Sequence, residues 1–135
     1  MTTNNLIDFI DRHTNNGAIY PSEPWSEGIG TETEGVALIQ KFSHRDWFAL
    51  RSLNLKAKKS LWIECLITLL GEADTEEARQ MIIHIALTAT EDNFFEAMEH
   101  IREFRRYVDT YTWLKLQNRS TKILSKRIKN KSNNY

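Results

Sequence analysis

Hydrophobic positions recur every three or four residues along most of this chain, and no stretch alternates with period two for long enough to argue a strand. Leu6, Phe9, Ile10 and His13 mark a short helix over residues 5–13, with Asn4 or Asn5 as its cap. Residues 14–30 interrupt the pattern with Asn15-Asn16-Gly17, Pro21, Pro24, Gly28 and Gly30, and read as a long acidic loop. Thr31-Glu32-Thr33-Glu34 has the form of a capping box and opens a helix through Val36, Leu38, Ile39 and Phe42. Ser43 caps the next helix, which carries Trp47, Phe48, Leu50 and Leu53, with Asp46 favourable at its positive end. Residues 58–70 form a further helix, stopped by Gly71 in the C′ position. Asp74 or Thr75 caps one that runs to about Thr88, and its segment 81–87 is apolar nearly all round, as in a centrally buried helix. Thr90 caps another that reaches Tyr107 or beyond. The remainder is helical to about Ile128, and residues 130–135 are a frayed basic tail.

The predicted fold is therefore all-α, one domain over residues 1–135 with about six helices. Short connections make successive helices antiparallel neighbours, so an antiparallel bundle and a short α-solenoid-like stack both fit. No repeat of fixed period favours the stack.

A chain of 135 residues can bury a core without metal or disulfide staples. Its one cysteine, Cys65, lies within an apolar run over residues 61–67 and reads as a small buried hydrophobe. The N-terminus has no basic region before its short apolar patch, and no apolar stretch is long enough to span a bilayer. A cytoplasmic location and no membrane partner are the resulting expectations.

The formal net charge is zero, yet the charge comes in blocks. Residues 1–40 hold six acids and one base, a net of about −5, and residues 41–71 six bases and two acids, about +4. Residues 72–104 hold nine acids and two bases, about −7, and residues 105–135 nine bases and one acid, about +8. Such blocks either pair inside the fold or present separate faces to separate partners.

Around the helix starting at Thr90, Phe94, Ala97, Met98, Ile101 and Val108 fall on one side, and Asp92, Glu96, Glu99 and Glu103 on the other. Like charges at i,i+4 cost about 0.2–0.5 kcal/mol each, so this ridge is mildly unfavourable unless something answers it. It is either a solvated face, partly neutralised by Arg102 and Arg106, or a docking ridge for a basic partner. Glu23, Trp25 and Glu27 in the loop, with Glu32 and Glu34 at the helix start, repeat the theme of acids without bases around an aromatic. Trp25 there is either an interface anchor or a cover for the core.

Other chemistry is thinly represented. Arg79 and His84 match the Arg-x4-His spacing of small helical ribonucleases of the HEPN class, where Arg would hold phosphate and His would move a proton. The competing reading of His84 is a satisfied core histidine. The basic C-terminal residues Lys115, Arg119, Lys122, Lys126, Arg127, Lys129 and Lys131 could touch phosphates, but no aromatic is interleaved between Trp113 and Tyr135. No paired cysteines, Glu-x-x-His, His-Glu-x-x-His, Gly-rich phosphate loop or Gly-x-Ser-x-Gly occurs, so neither metal nor cofactor is expected.

The pattern Trp47-Phe48-Ala49-Leu50-Arg51, then Leu61-Trp62-Ile63, then Glu77-Ala78-Arg79 with Ile82 to Leu87, resembles small all-helical immunity proteins of bacterial toxin systems. Those of contact-dependent growth inhibition are the most similar, over about half the chain. The resemblance implies a cytoplasmic, non-enzymatic protein that binds and blocks the toxic C-terminal domain of a delivered effector. Many such toxins are nucleases with basic clefts, so the expected partner-binding residues are Glu23, Trp25, Glu27, Glu32, Glu34, Asp92, Glu96, Glu99 and Glu103. Nucleic acid is not the expected partner.

Overall fold

The computed structural model describes residues 2–15 and 31–132, without the side chains of residues 15, 31, 32, 131 and 132. These residues form seven α-helices and no strand: α1 (Thr2–Asn15), α2 (Thr31–Gln40), α3 (His44–Arg51), α4 (Ser60–Ala73), α5 (Glu76–Thr88), α6 (Glu91–Glu103) and α7 (Thr110–Ser132). Single 3-10 turns at Leu55–Ala57 and Arg105–Tyr107 precede α4 and α7. The helix expected to run past Tyr107 ends at Glu103, because the turn Arg105–Tyr107 breaks it and α7 starts afresh after Asp109, whose carboxylate accepts from the Thr112 N–H at 2.8 Å. That break makes seven helices of the expected six. The last helix, α7, continues through residues 130–132 of the tail expected to fray.

The axis of the bundle is α4, which packs against α1, α2, α5 and α6. Trp62, Ile63, Cys65, Leu66, Ile67, Leu69 and Leu70 are all buried, so between the helix ends water reaches only the strip of Leu61, Glu64, Thr68 and Gly71, which Glu72 continues. A helix apolar on nearly every face leaves water only if it is covered on nearly every face. The predicted central helix, now α5, shares this role: Met81, Ile82, Ile83, Ile85 and Ala86 are buried, and it forms a hairpin with α6. On α6, Phe94, Ala97, Met98 and Ile101 complete the core, as their spacing predicts.

The first helix starts at Thr2, earlier than its own sequence suggests, and neither Asn4 nor Asn5 caps it. The reason is a clasp to α3. Asp46 Oδ1 accepts from the Thr3 N–H at 3.0 Å and from the Thr3 hydroxyl at 2.7 Å, and the Thr3 hydroxyl also lies 3.1 Å from the Asp46 carbonyl. The same carboxylate closes the α3 capping box through Oδ2, which accepts from the Ser43 N–H at 3.0 Å. The Ser43 backbone N–H, then the Thr3 hydroxyl and N–H, hold this carboxyl well below the usual carboxylate range.

Gly71 does not stop α4. The helix continues to Ala73, and the left-handed residue is Asp74, with φ 47°, a conformation that aspartate tolerates better than most. Gly71 instead makes room for the His100 ring, whose Nδ1 lies 2.7 Å from where a Cβ would stand. Gly35, inside α2, does the same for the core. A Cβ there would lie 2.8 Å from both the Leu69 side chain and the Phe9 ring, so the missing side chain lets α2 approach α1 and α4. Both neighbours are fully buried and have little room to move aside. Gly35→Ala should therefore destabilise the fold by about 1–3 kcal/mol despite alanine's better helix propensity. Urea unfolding measures this, and a stabilised variant would show that α2 is not seated this tightly.

Candidate functional site

The acids expected on the outer side of α6 do not share one environment. Asp92, Glu99 and Glu103 are exposed, whereas Glu96 is half-buried and faces α4. Asn93, one turn earlier on that side, is fully buried, with Nδ2 donating to the Ser60 carbonyl at 3.1 Å. The buried arc of α6 is therefore wider than its apolar residues alone indicate, because α4 packs against a second side of it. Glu96 is the ridge residue this packing draws inward. Its carboxyl is pushed up to about 7, by desolvation first and then by the negative charges of Glu64 on α4 and Glu99 on α6. Glu64 carries no signal in the sequence beyond being an acid in an apolar run, yet it belongs to this cluster.

Nothing within the described residues neutralises the ridge. The ion pairs found among them are Arg79 with Asp74 at 3.2 Å and Lys126 with Glu91 at 3.7 Å. Arg102, expected to flank and offset the acids, forms none, and Arg106 lies over the Tyr107 ring at 4.8 Å. At its far end the ridge borders a hollow of about 240 Å³ lined by Gly71, Asp74, Arg79, His100, Glu103 and Phe104 among others.

A second acidic surface lies between α1 and α2. Glu34 is exposed there, on an open depression shared with Asn5, Asp8, Asp11, Arg12 and Leu38. Asp8 and Asp11 are not among the site residues expected from the sequence; the approach of α2 brings Glu34 beside them. Asp11 also accepts from the Trp62 indole N–H at 2.8 Å, which ties α1 to α4. Glu32 lies in the first turn of α2, and its side chain is outside the described residues, as are Glu23, Trp25 and Glu27.

Arg79 and His84 address different neighbours. The Arg79 guanidinium donates to the Asp74 carbonyl and carboxylate, each at 3.2 Å, and covers the Tyr107 ring at 4.3 Å. His84 is half-buried beside the Arg51 backbone, and desolvation, with the Arg51 charge, takes its pKa below the usual value although the Arg51 backbone hydrogen bond opposes this. Among the described residues no three His, Cys, Asp or Glu side chains are grouped as metal ligands would be.

The basic C-terminal stretch is a helix fastened to the α5–α6 hairpin. Leu116 and Ile123 are buried, Arg119 donates to the Ala89 carbonyl, and the Arg127 guanidinium lies 4.8 Å from the Phe95 ring centre. With Lys126 on Glu91, three of its six described bases are engaged with the body. No protein-family model matches this chain, and no curated protein or solved structure shows a significant match to it.

Two outcomes follow from the α4–α6 cluster. A carboxyl raised in the folded state adds no cost below its ordinary pKa of about 4.5, where it is protonated in both states, and its full cost above about 7. Glu96→Gln should thus match the parent near pH 4 and exceed it at pH 8 by about 1 kcal/mol, a figure reduced for the carboxylate's partial exposure to solvent. Urea unfolding at the two pH values decides it; a less stable variant at pH 8 would mean that a cation answers Glu96. Cys65, buried beside these acids, has its thiol pushed up to about 12, chiefly by burial. It should resist alkylation at pH 8 until the chain is unfolded, and rapid labelling of the native protein would show that α4 opens locally.

Proposed function

We propose that this protein is a non-enzymatic inhibitor that docks a basic protein surface on the acidic side of α6, with Asp92, Glu96, Glu99 and Glu103 joined by Glu64 of α4. The observation that carries the reading is that, among the described residues, none of these five carboxylates has an ion-pair partner, although two of them sit in a half-buried position where an unanswered charge is costly. A partner lysine or arginine would supply the missing charge in a partly desolvated place, where it counts for more than at an exposed rim. The resemblance to immunity proteins supplies the identity of the partner: the toxic domain of a delivered effector, with nuclease activity and a cationic cleft. The protein works in the cytoplasm on this reading, and inhibition is occlusion of the cleft. Glu34 with Asp8 and Asp11 offers a second acidic contact, to which the loop residues Glu23, Trp25 and Glu27 and the neighbouring Glu32 could add.

The ribonuclease reading has less support, because Arg79 and His84 are directed to separate partners within the fold.

The test pairs this chain with the C-terminal domain of an effector encoded beside its gene. Co-expression should relieve that domain's toxicity, and Glu99→Lys with Glu103→Lys should weaken binding at least a hundredfold while helicity is kept. A cation at Glu96 favours its ionised form, so affinity should also fall as pH drops from 8 to 6, by up to about tenfold for the one proton, and Glu96→Gln should flatten that slope. Full protection by the doubly reversed variant would remove α6 from the interface.

A further inference from the structure

We propose that the outer face of α7 is a docking surface for an anionic lipid bilayer, on which the helix lies flat. The helix has 23 residues, about 35 Å of length, and contains no Asp or Glu. Leu116 and Ile123 hold it to the body, and none of the described residues covers its opposite side: Tyr111 is 68%, Leu114 55%, Leu124 47% and Ile128 66% exposed. Leu114, Leu124 and Ile128 share one side of the helix, and Tyr111 lies about a quarter turn away with the lysines. Leu114, Thr121 and Ile128 repeat every seven positions, and the exposed lysines Lys115, Lys122 and Lys129 run in a parallel row one residue away.

Which occupant suits an aliphatic stripe edged by lysines is decided by where the arginines went. Arg119 lies 5.6 Å from the Phe94 ring centre and Arg127 4.8 Å from that of Phe95, both directed to the body. The face therefore presents lysines rather than a row of arginines for phosphate contacts, and no flat aromatic row on which bases could stack, so nucleic acid would leave its leucines unrewarded. For a protein partner the face offers a single aromatic, Tyr111, and lysines in place of the arginine anchors that dominate protein interfaces. A second copy apposed through α7 would bring lysine row against lysine row. An anionic bilayer satisfies both rows, taking the aliphatic side chains into the headgroup–acyl boundary while the ammonium groups reach lipid phosphates and Tyr111 sits at headgroup level. This is surface binding, distinct from the spanning that the sequence argues against; among the described residues no helix is long and apolar enough to cross a membrane.

The face is separate from the acidic side of α6, so the inference stands or falls without the proposed inhibitor role. Its test is sedimentation of the full chain with vesicles of equal parts phosphatidylglycerol and phosphatidylcholine at low salt, against vesicles of phosphatidylcholine alone. The protein should pellet with the anionic vesicles only, and added salt should release it. Replacing Leu124→Glu with Ile128→Glu should lower binding at least tenfold, and reversing Lys115, Lys122 and Lys129 to Glu about a hundredfold. All five positions are exposed, so circular dichroism and a thermal melt should confirm that both variants fold. Failure to pellet with anionic vesicles, equal binding to neutral ones, or binding indifferent to either variant would overturn the proposal. So would retention on duplex DNA or RNA that needs the lysines but not Leu124 and Ile128, which would assign the face to nucleic acid.

Discussion

Everything in this fold is arranged around the need to take α4 out of water. Seven of its fourteen residues are buried, distributed round most of the helix, and no single partner could cover them. Four helices therefore converge on it. The cost of that convergence falls on the few polar groups at the seams. Asn93 is driven fully inside and keeps Ser60 as its partner, while its carbonyl oxygen accepts no hydrogen bond from the described residues. Glu64, on the one strip of α4 that water reaches, ends up beside Glu96. The acidic cluster is thus a by-product of core burial, and the site inherits its electrostatic tension from the same packing that makes the protein stable.

Polar contacts over long sequence separation do a different task, which is to set where helices begin and how they meet. The Asp46 carboxylate serves two helix starts at once, its own through Ser43 and that of α1 through Thr3. Charge-assisted hydrogen bonds of this kind are short and directional, so they specify geometry that apolar contacts leave loose. Asp11 on Trp62 and Arg119 on the Ala89 carbonyl act in the same way at other seams. Among the described residues only two ion pairs form, Arg79 with Asp74 and Lys126 with Glu91. The alternating blocks could have neutralised one another inside the fold, and for the most part they do not. One acidic side and one basic side remain open, each with a reason to meet a different kind of surface.

Helix content, the caps at Ser43 and Thr75, the core positions of α5 and α6 and the burial of Cys65 were legible in the chain, because each depends on residues within one or two turns. The four ridge acids were also visible from their spacing. Their inequality was not, since nothing local distinguishes Glu96 from Glu99. Glycine misled for a related reason. Gly71 after an apolar run looks like a helix stop, but its purpose is to admit His100, and the turn falls to Asp74.

By itself the sequence determined an all-helical chain, the faces each helix must bury and the sign of charge along its length, all of which follow from periodicity and local hydrogen bonding. Only the tertiary structure decided that α4 is the axis, that Glu64 joins the α6 acids, that Asp8 and Asp11 join Glu34, and that α7 is docked on one side and uncovered by the described residues on the other. These are statements about which faces meet. Solvent accessibility and the field at a carboxylate depend on atoms from distant segments, and those distances are set only when the helices pack.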